Sequence, residues 1–253
     1  MTAALVVELR KLRRSTVVTV ATPLIAVLIP AIALALVAVA ASGTGNGTLG
    51  GKASALVIGE GWTAYLRTVD QIAAVAVFLG VGIVTAWVFG REFTDGTFPS
   101  LFSMAVPRRA IALAKLVALA VWVSLVTAAL IAVAMVLGII VGIGASFDST
   151  EVLRLASITA GAGMLGLTSA FAASAGRGLL PAITAVILAI VASQVAVLFG
   201  TGGWFPFAVP GLAAVAGAEG IDPLTPVQMV LVPVLVGAAA WATVLWWSKA
   251  EVS

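Results

Sequence analysis

Residues 89–115 read FGREFTDGTFPSLFSMAVPRRAIALAK. This stretch holds six charged residues, although the whole chain has only 13 basic and 10 acidic ones. Long apolar runs precede and follow it. A charged, turn-rich segment between two apolar runs of membrane length has to lie at a water boundary. We therefore expect residues 89–115 to be exposed to water at a membrane surface and to contact another molecule there.

The composition indicates an integral membrane protein. Of the 253 residues, 62% are hydrophobic and 9% are charged, whereas a soluble domain has about 25% charged residues. The chain contains neither cysteine nor histidine, which excludes disulfides, thiolate metal sites and histidine-based zinc chemistry. The basic residues are few and stand beside apolar runs, as topology determinants do, so we do not expect nucleic acid as a partner.

Six apolar runs are long enough to cross a hydrocarbon core of about 30 Å, which takes about 20 residues per helix. We predict an all-α protein with a single transmembrane domain over residues 1–253 and spans at about 17–41, 72–90, 111–144, 152–173, 179–200 and 227–247. The rival interpretation of the first run is a cleaved signal peptide. That run is about twice as long as the apolar part of a signal peptide, which favours a retained span.

Both ends of the chain carry features that suit the membrane surface. Leu5, Leu9 and Leu12 fall on one face of a short amphipathic helix within residues 1–16, which we expect to lie among the lipid headgroups. Its basic residues form the predicted interfacial anchor, and a second anchor closes the last span. The residues of the two anchors are Arg10, Lys11, Arg13, Arg14, Trp246 and Trp247. Membrane lipids are therefore expected partners.

Two further segments have their own predictions. Residues 42–70 suit an exposed loop that leads to an interfacial helix with Trp62 and Tyr65. Residues 202–226 contain four prolines and are predicted as re-entrant or interfacial helices on the outer face. Glycines in spans three and four allow close helix contacts, although ordinary packing within the chain is the favoured interpretation; they are Gly138, Gly142, Gly161, Gly163 and Gly166.

The positions of the basic residues predict the orientation of the chain. With a cytoplasmic N-terminus, ten of the 13 basic residues lie inside, and the three outside are Lys52, Arg67 and Arg154. Such a bias is typical of cytoplasmic loops. We expect both termini and residues 89–115 to be cytoplasmic.

No charged residue lies deep within a predicted span, where ion-driven transporters hold the groups that bind the ion. Asp70, Arg91, Lys115 and Arg154 stand near span ends, where they can snorkel to water. Gln194 is the most polar residue well inside a span; it makes either a helix-to-helix hydrogen bond, which we favour, or a contact in a pathway. Energy for any uphill transport would then come from another subunit.

Residues 96–107 predict a short helix on the cytoplasmic side. Gly96 and Thr97 indicate a turn and a helix start, and Pro107 ends the helix. One apolar stripe follows from the spacing of Phe98, Leu101, Phe102 and Ala105. The stripe would either dip into lipid or dock in a groove of a partner.

At these residues the sequence resembles the cytoplasmic loop of ABC exporter permeases of the type-two membrane class. The features that match are an acidic residue, a Gly-Thr pair, a short apolar helix, a proline, a basic residue and a lysine that opens the next span; here they are Glu92, Gly96, Thr97, Leu101, Pro107, Arg108 or Arg109, and Lys115. The order of features along the whole chain is also similar. The resemblance implies that the loop is a coupling helix seated in a separate ATPase, and that the broken segment before the last span shapes an outer gate.

The leading hypothesis is thus the permease subunit of an ATP-driven exporter of hydrophobic or amphiphilic compounds, such as drugs, antimicrobial peptides or lipids, in a bacterial plasma membrane. The resemblance implies two ATPase copies, which hold ATP and Mg²⁺, and a second permease, identical or related. Spans two and five would line part of the conduit. Glu92 would contact or orient the site where the ATPase docks. The side chains buried in the contact with the ATPase would be Phe98, Leu101 and Phe102. Arg108 and Arg109 would bind lipid headgroups or acidic groups of the ATPase. The alternatives are an ion-coupled carrier, a membrane enzyme or an assembly factor without transport activity.

Overall fold

The computed structural model describes residues 2–42, 51, 54–96, 107–144, 148–217 and 223–249, and all structural statements refer to those residues. They contain helices and no strand. The main helices are α1 (Thr2–Arg13), α2 (Thr16–Ala41), α3 (Gly61–Thr94), α4 (Arg108–Val141), α5 (Ser149–Ala175), α6 (Leu179–Leu198), α7 (Val209–Val215) and α8 (Pro226–Lys249). Six of these, all except α1 and α7, are long and apolar enough to cross a membrane. The prediction of an all-α protein with six spanning helices is confirmed.

Helix α3 is the centre of the bundle. It packs against α2, α5, α6 and α7. Of its most apolar 18 residues, 61% are buried inside the chain, against 11% in α6 and 17% in α8. The outer surfaces of α6 and α8 therefore remain free for lipid or for another protein chain.

The start of α3 differs from the predicted loop and interfacial helix. One continuous helix begins at Gly61, and Trp62 and Tyr65 are buried within it. The Trp62 indole N–H donates to the Gly144 carbonyl over 3.1 Å, and the Tyr65 hydroxyl lies 3.4 Å from the Pro30 carbonyl. These two aromatic side chains join α3 to the middle of α2 and to the chain just after α4, so they are core residues rather than surface anchors.

Helix α2 contains a π-helical turn at Leu24–Leu28. Pro23 precedes this turn and Pro30 follows it. A proline ring clashes with the carbonyl four residues earlier, which for Pro30 is that of Ala26, and a wider turn accommodates such a clash. The helix continues to Ala41 as a single span.

Helix α5 is broken once, at Leu167 and Thr168. After the break, the Ser169 hydroxyl donates to the Gly82 carbonyl of α3 over 3.0 Å. Just before it, a Cβ on Gly166 would lie 2.8 Å from Val81 Cβ and 2.9 Å from the Gly82 backbone nitrogen. The absent side chain thus lets the backbones of α3 and α5 touch.

The other glycines of the predicted set differ in their surroundings. A Cβ on Gly138 would meet the Trp62 ring, and one on Gly163 would meet Val123, both closer than van der Waals contact allows. Gly142 instead ends α4 in the left-handed conformation, with φ 74°. A Cβ on Gly161 would have nothing within 4 Å. Gly138, Gly163 and Gly166 therefore serve packing within the chain.

The segment before α8 is broken as its prolines predict. It contains a 3₁₀ turn at Gly202–Trp204 and the short helix α7, and the Phe207 ring packs 5.5 Å from the Phe78 ring of α3. The depth of this segment in the membrane stays a prediction.

We predict that Gly166→Ala lowers the free energy of unfolding by about 1–3 kcal/mol, because its methyl group meets backbone that cannot move aside. Gly161→Ala, in the same helix, is the matched control. It adds a methyl group in open space and should be neutral or stabilise the helix by up to about 1 kcal/mol. Thermal unfolding of both variants in detergent, followed by circular dichroism, measures the difference. Equal unfolding midpoints would contradict the close contact.

Candidate functional site

A buried cluster of charges joins three helices at one end of the bundle. We call this end of the bundle, which is formed by α1, the end of α3 and the start of α4, the basic end. Lys115 Nζ lies 2.7 Å from Glu92 Oε1 and 3.3 Å from Glu8 Oε2. The same ammonium group lies 3.3 Å from the Val88 carbonyl, and the Lys115 side chain is only 2% exposed. Lys115 therefore links α4 to both α1 and α3.

The cluster fixes the chain on both sides of residues 97–106. Glu92 stands in the last turns of α3, Lys115 in the third turn of α4, and Glu8 attaches α1 to both. Removal of one member of a buried ion pair is costly because it leaves the other charge without its counter-ion. The ends of α3 and α4 are thus held together at the point where the chain enters and leaves the loop.

The predicted coupling residues divide into two groups. Thr97, Phe98, Leu101 and Phe102 lie outside the described residues. The structure describes the other four, which are Glu92, Gly96, Arg108 and Arg109. Glu92 is 6% exposed, and Gly96 lies in the turn after α3 with φ 66°. The two arginines are the first residues of α4, and Arg109 is exposed. The ion pair with Lys115 suits Glu92 to orient the loop, and its predicted contact with a partner stays a prediction.

Lys115 lies near the start of α4, as the sequence predicts, but the prediction that its side chain reaches water was wrong. Its ammonium is buried among Glu8, Glu92 and Val88. The available signal was a single lysine within the apolar run of α4, together with one acidic residue in α1 and one at the end of α3.

The tryptophans near the end of α8 also differ from the predicted surface anchor. Trp247 is fully buried, and its indole N–H donates to the Ser174 hydroxyl over 2.9 Å. Its ring meets the Phe89 ring edge-to-face at 5.9 Å, and Trp246 lies 5.7 Å from Phe93. Trp247 is a core residue that attaches α8 to α3 and α5, because a neighbouring hydroxyl satisfies its N–H.

Helix α1 has the predicted two-sided character. Leu12 and Glu8 are buried against the bundle, whereas the basic side chains Arg10, Lys11, Arg13 and Arg14 are exposed. Contact of these residues with lipid headgroups stays a prediction.

A second charge cluster lies at the opposite end of α3. The Arg154 guanidinium of α5 contacts the fully buried Asp70 carboxylate, with Nη2–Oδ2 at 2.7 Å, and also pairs with Glu151. Arg67 Nε lies 3.7 Å from Glu151 Oε1, and Arg67 Nη1 donates to the Ala216 carbonyl over 2.7 Å. This second cluster, formed by Arg67, Asp70, Glu151 and Arg154, therefore connects α3 with α5 and with the chain just after α7.

A cavity of about 420 Å³ lies between α3 and α6 and extends to α7. Its walls are mostly apolar and include Phe78 and Phe207. Three polar side chains also line it: Gln71, Ser193 and Gln194. Such a space, apolar with a few polar groups, is typical of a site for a small amphiphilic molecule.

The cavity contains the pathway candidate that the sequence singled out. Gln194 lies on its wall beside Ser193, and α3 and α6 are the second and fifth predicted spans. Gln71 was missed because it stands next to charged Asp70, at the edge of the apolar run. Its amide donates to the Leu56 carbonyl over 2.9 Å.

Comparison with known proteins gives one family. The family model described as "ABC-2 family transporter protein" matches residues 4–201, which include most of α1, all of α2 to α6 and both charge clusters. No curated protein matches the chain.

We predict that Lys115→Met lowers the free energy of unfolding by about 3–5 kcal/mol, because Glu92 stays buried without its cation and Glu8 keeps only its ion pair with Lys11. Combining Lys115→Met with Glu8→Gln and Glu92→Gln should restore part of the lost free energy of unfolding. Arg109→Met, which removes an exposed cation from the same end, should change stability by less than about 0.5 kcal/mol. Thermal unfolding in detergent compares these variants; equal losses from Lys115→Met and Arg109→Met would rule out the proposed role of the cluster.

Proposed function

Because the chain belongs to the ABC-2 transporter family, we propose that it is the permease subunit of an ATP-driven exporter, with a separate ATPase supplying the energy. The match over residues 4–201 carries this proposal. ATP and Mg²⁺ would bind the ATPase, of which we expect two copies. The cargo would be a hydrophobic or amphiphilic compound.

The placement of the charges supports an external source of energy. Buried Lys115 pairs with Glu8 and Glu92 at one end of the bundle, and buried Asp70 pairs with Arg154 at the other. The polar groups that line the cavity between α3 and α6 are uncharged. An ion-driven carrier instead needs a titrating or ion-binding group on its pathway, so the ion-coupled carrier stays the weaker alternative.

Residues 97–106 are the proposed contact with the ATPase. They connect α3 to α4, and the ion pair between Glu92 and Lys115 holds those helices together directly behind the loop. A push on the loop would therefore reach both helices together rather than bend one of them. The positive-inside rule predicts that this end lies in the cytoplasm, where ATP is available.

The cavity between α3 and α6 is the proposed place for cargo. Its apolar walls suit a hydrophobic body, and Gln71, Ser193 and Gln194 offer hydrogen bonds to a polar group. Gln194 belongs to a helix that is mostly exposed, and a polar amide facing lipid is costly. A second permease, identical or related, would cover this surface and complete the conduit.

We predict that Phe98→Asp combined with Phe102→Asp abolishes association with the ATPase, because two carboxylates replace the apolar contact. Co-purification of tagged permease with its ATPase from membranes measures this association. Ser100→Asp, on the side of the predicted helix opposite to the apolar stripe, is the control and should leave co-purification intact. Retained association in the double variant would contradict the coupling assignment.

We also predict that Gly211→Leu reduces export by about tenfold or more, since cargo and the new side chain compete for the same volume. Gly211 lines the cavity, and a Cβ there meets no atom within 4 Å, so the fold should be unaffected. Gly237→Leu, which is equally free of contacts in α8, is the matched control. Accumulation of a fluorescent amphiphile, ethidium, in cells that contain permease and ATPase provides the measurement, and equal export by both variants would remove the cavity from the pathway.

A further inference from the structure

An apolar groove of about 600 Å³ lies between α2 and α3, separate from the proposed cargo cavity. Residues Thr16 to Ile32 of α2 form one wall, and residues Ile72 to Val84 of α3 form the other. Ile25 and Ile29 are buried at its floor, whereas Leu24, Leu28 and Ile32 are exposed along its rim. The groove is therefore open to the hydrocarbon that surrounds the bundle.

The dimensions of the groove suit a lipid acyl chain. From Thr16 to Ile32 a helix rises about 25 Å, whereas one leaflet contributes about 15 Å of hydrocarbon. The side chains that line it are apolar except for Thr16, at the basic end. A hydrocarbon chain that enters from this end would thus meet apolar surface over its whole length.

The mouth of the groove at Thr16 is positively charged. Arg14 precedes Thr16 by two residues and is exposed. On the α3 side the helix continues from Val84 to Trp87 and Arg91, and the Arg91 guanidinium lies 4.6 Å from the centre of the Trp87 ring. Lys11 lies at the same small recess as Trp87 and Arg91. The two carboxylates nearby already have cations: Glu92 pairs with Lys115, and Glu8 pairs with Lys115 and, over 2.6 Å, with Lys11. The charge of Lys11 is thus balanced by Glu8, and Arg14 and Arg91 are the cations that make the mouth positive.

We propose that this groove binds an anionic phospholipid, with one acyl chain between α2 and α3 and the phosphate at Arg14 and Arg91. The inference rests on the cytoplasmic placement of the basic end, because the cytoplasmic leaflet carries the anionic lipids that attract such residues. It does not depend on export or on the ATPase, so it stands or fails separately from them.

The same charges argue against a second copy of the chain in the groove. A two-fold contact buries the same surface patch of both copies, so a contact through two grooves would bring both positively charged mouths, each with Arg14 and Arg91, into one interface. Like charges that face each other in this way oppose association. A negatively charged headgroup instead neutralises them.

The test uses the full chain in detergent with two probes of equal acyl length, dioleoylphosphatidylglycerol and dioleoylphosphatidylcholine. Native mass spectrometry counts the bound lipids, and thermal unfolding measures their effect. We expect preferential retention of phosphatidylglycerol and a higher unfolding midpoint with it. Equal retention of the two lipids would overturn the proposal, as would competition by soluble glycerol 3-phosphate as strong as that by phosphatidylglycerol.

Two variants separate the headgroup site from the groove. Arg14→Gln with Arg91→Gln should weaken phosphatidylglycerol binding by about tenfold, whereas Arg109→Gln with Lys249→Gln, which removes as much charge elsewhere, should not. Ala76→Leu, which fills the groove, should weaken binding although every charge is kept, and Ala132→Leu on the exposed side of α4 should not. Unchanged binding in either test variant refutes the site, and a change of oligomeric state in Ala76→Leu would assign the groove to a protein interface instead.

Discussion

The neutralisation of charge at both ends of α3 is the constraint on which the bundle depends. Asp70 needs Arg154 of α5 at one end, and Glu92 needs Lys115 of α4 at the other. Each pair lies in an apolar protein, where a carboxylate without a counter-ion is costly to bury. Helices distant in sequence are thereby fixed in register along α3, and α1 is attached through Glu8.

Span number and helical class were predictable because the length of an apolar run reports directly on membrane thickness. The start of α3 was not predictable from the sequence, because Arg67 and Asp70 interrupt its apolar run. Their counter-ions, Glu151 and Arg154, stand in α5, and a pattern read along the chain contains no information about partners so far away. For the same reason Trp247 was expected at the surface, although Ser174 and Phe89 bury it.

The candidate site was predictable in unequal parts. Gln194 was recognisable because an amide within an apolar run is conspicuous, and residues 89–115 because charge and turns are concentrated there. The role of Lys115 became clear only from the structure. In the sequence, a lysine near a helix end has the same pattern whether its side chain reaches water or pairs with Glu92. The apolar groove between α2 and α3 had no signal at all, because its shape comes from two helices that are each unremarkable in composition.

The length of α3 has a mechanical consequence. Its 34 residues form one helix without proline, about 51 Å long at 1.5 Å per residue, so it exceeds the hydrocarbon core. Such a helix has no hinge of its own, and at Gly166 the backbone of α5 lies directly against it. Helix α3 would move as a stiff rod, so that a tilt at Glu92 displaces Arg67 and the chain beside it at the far side of the membrane.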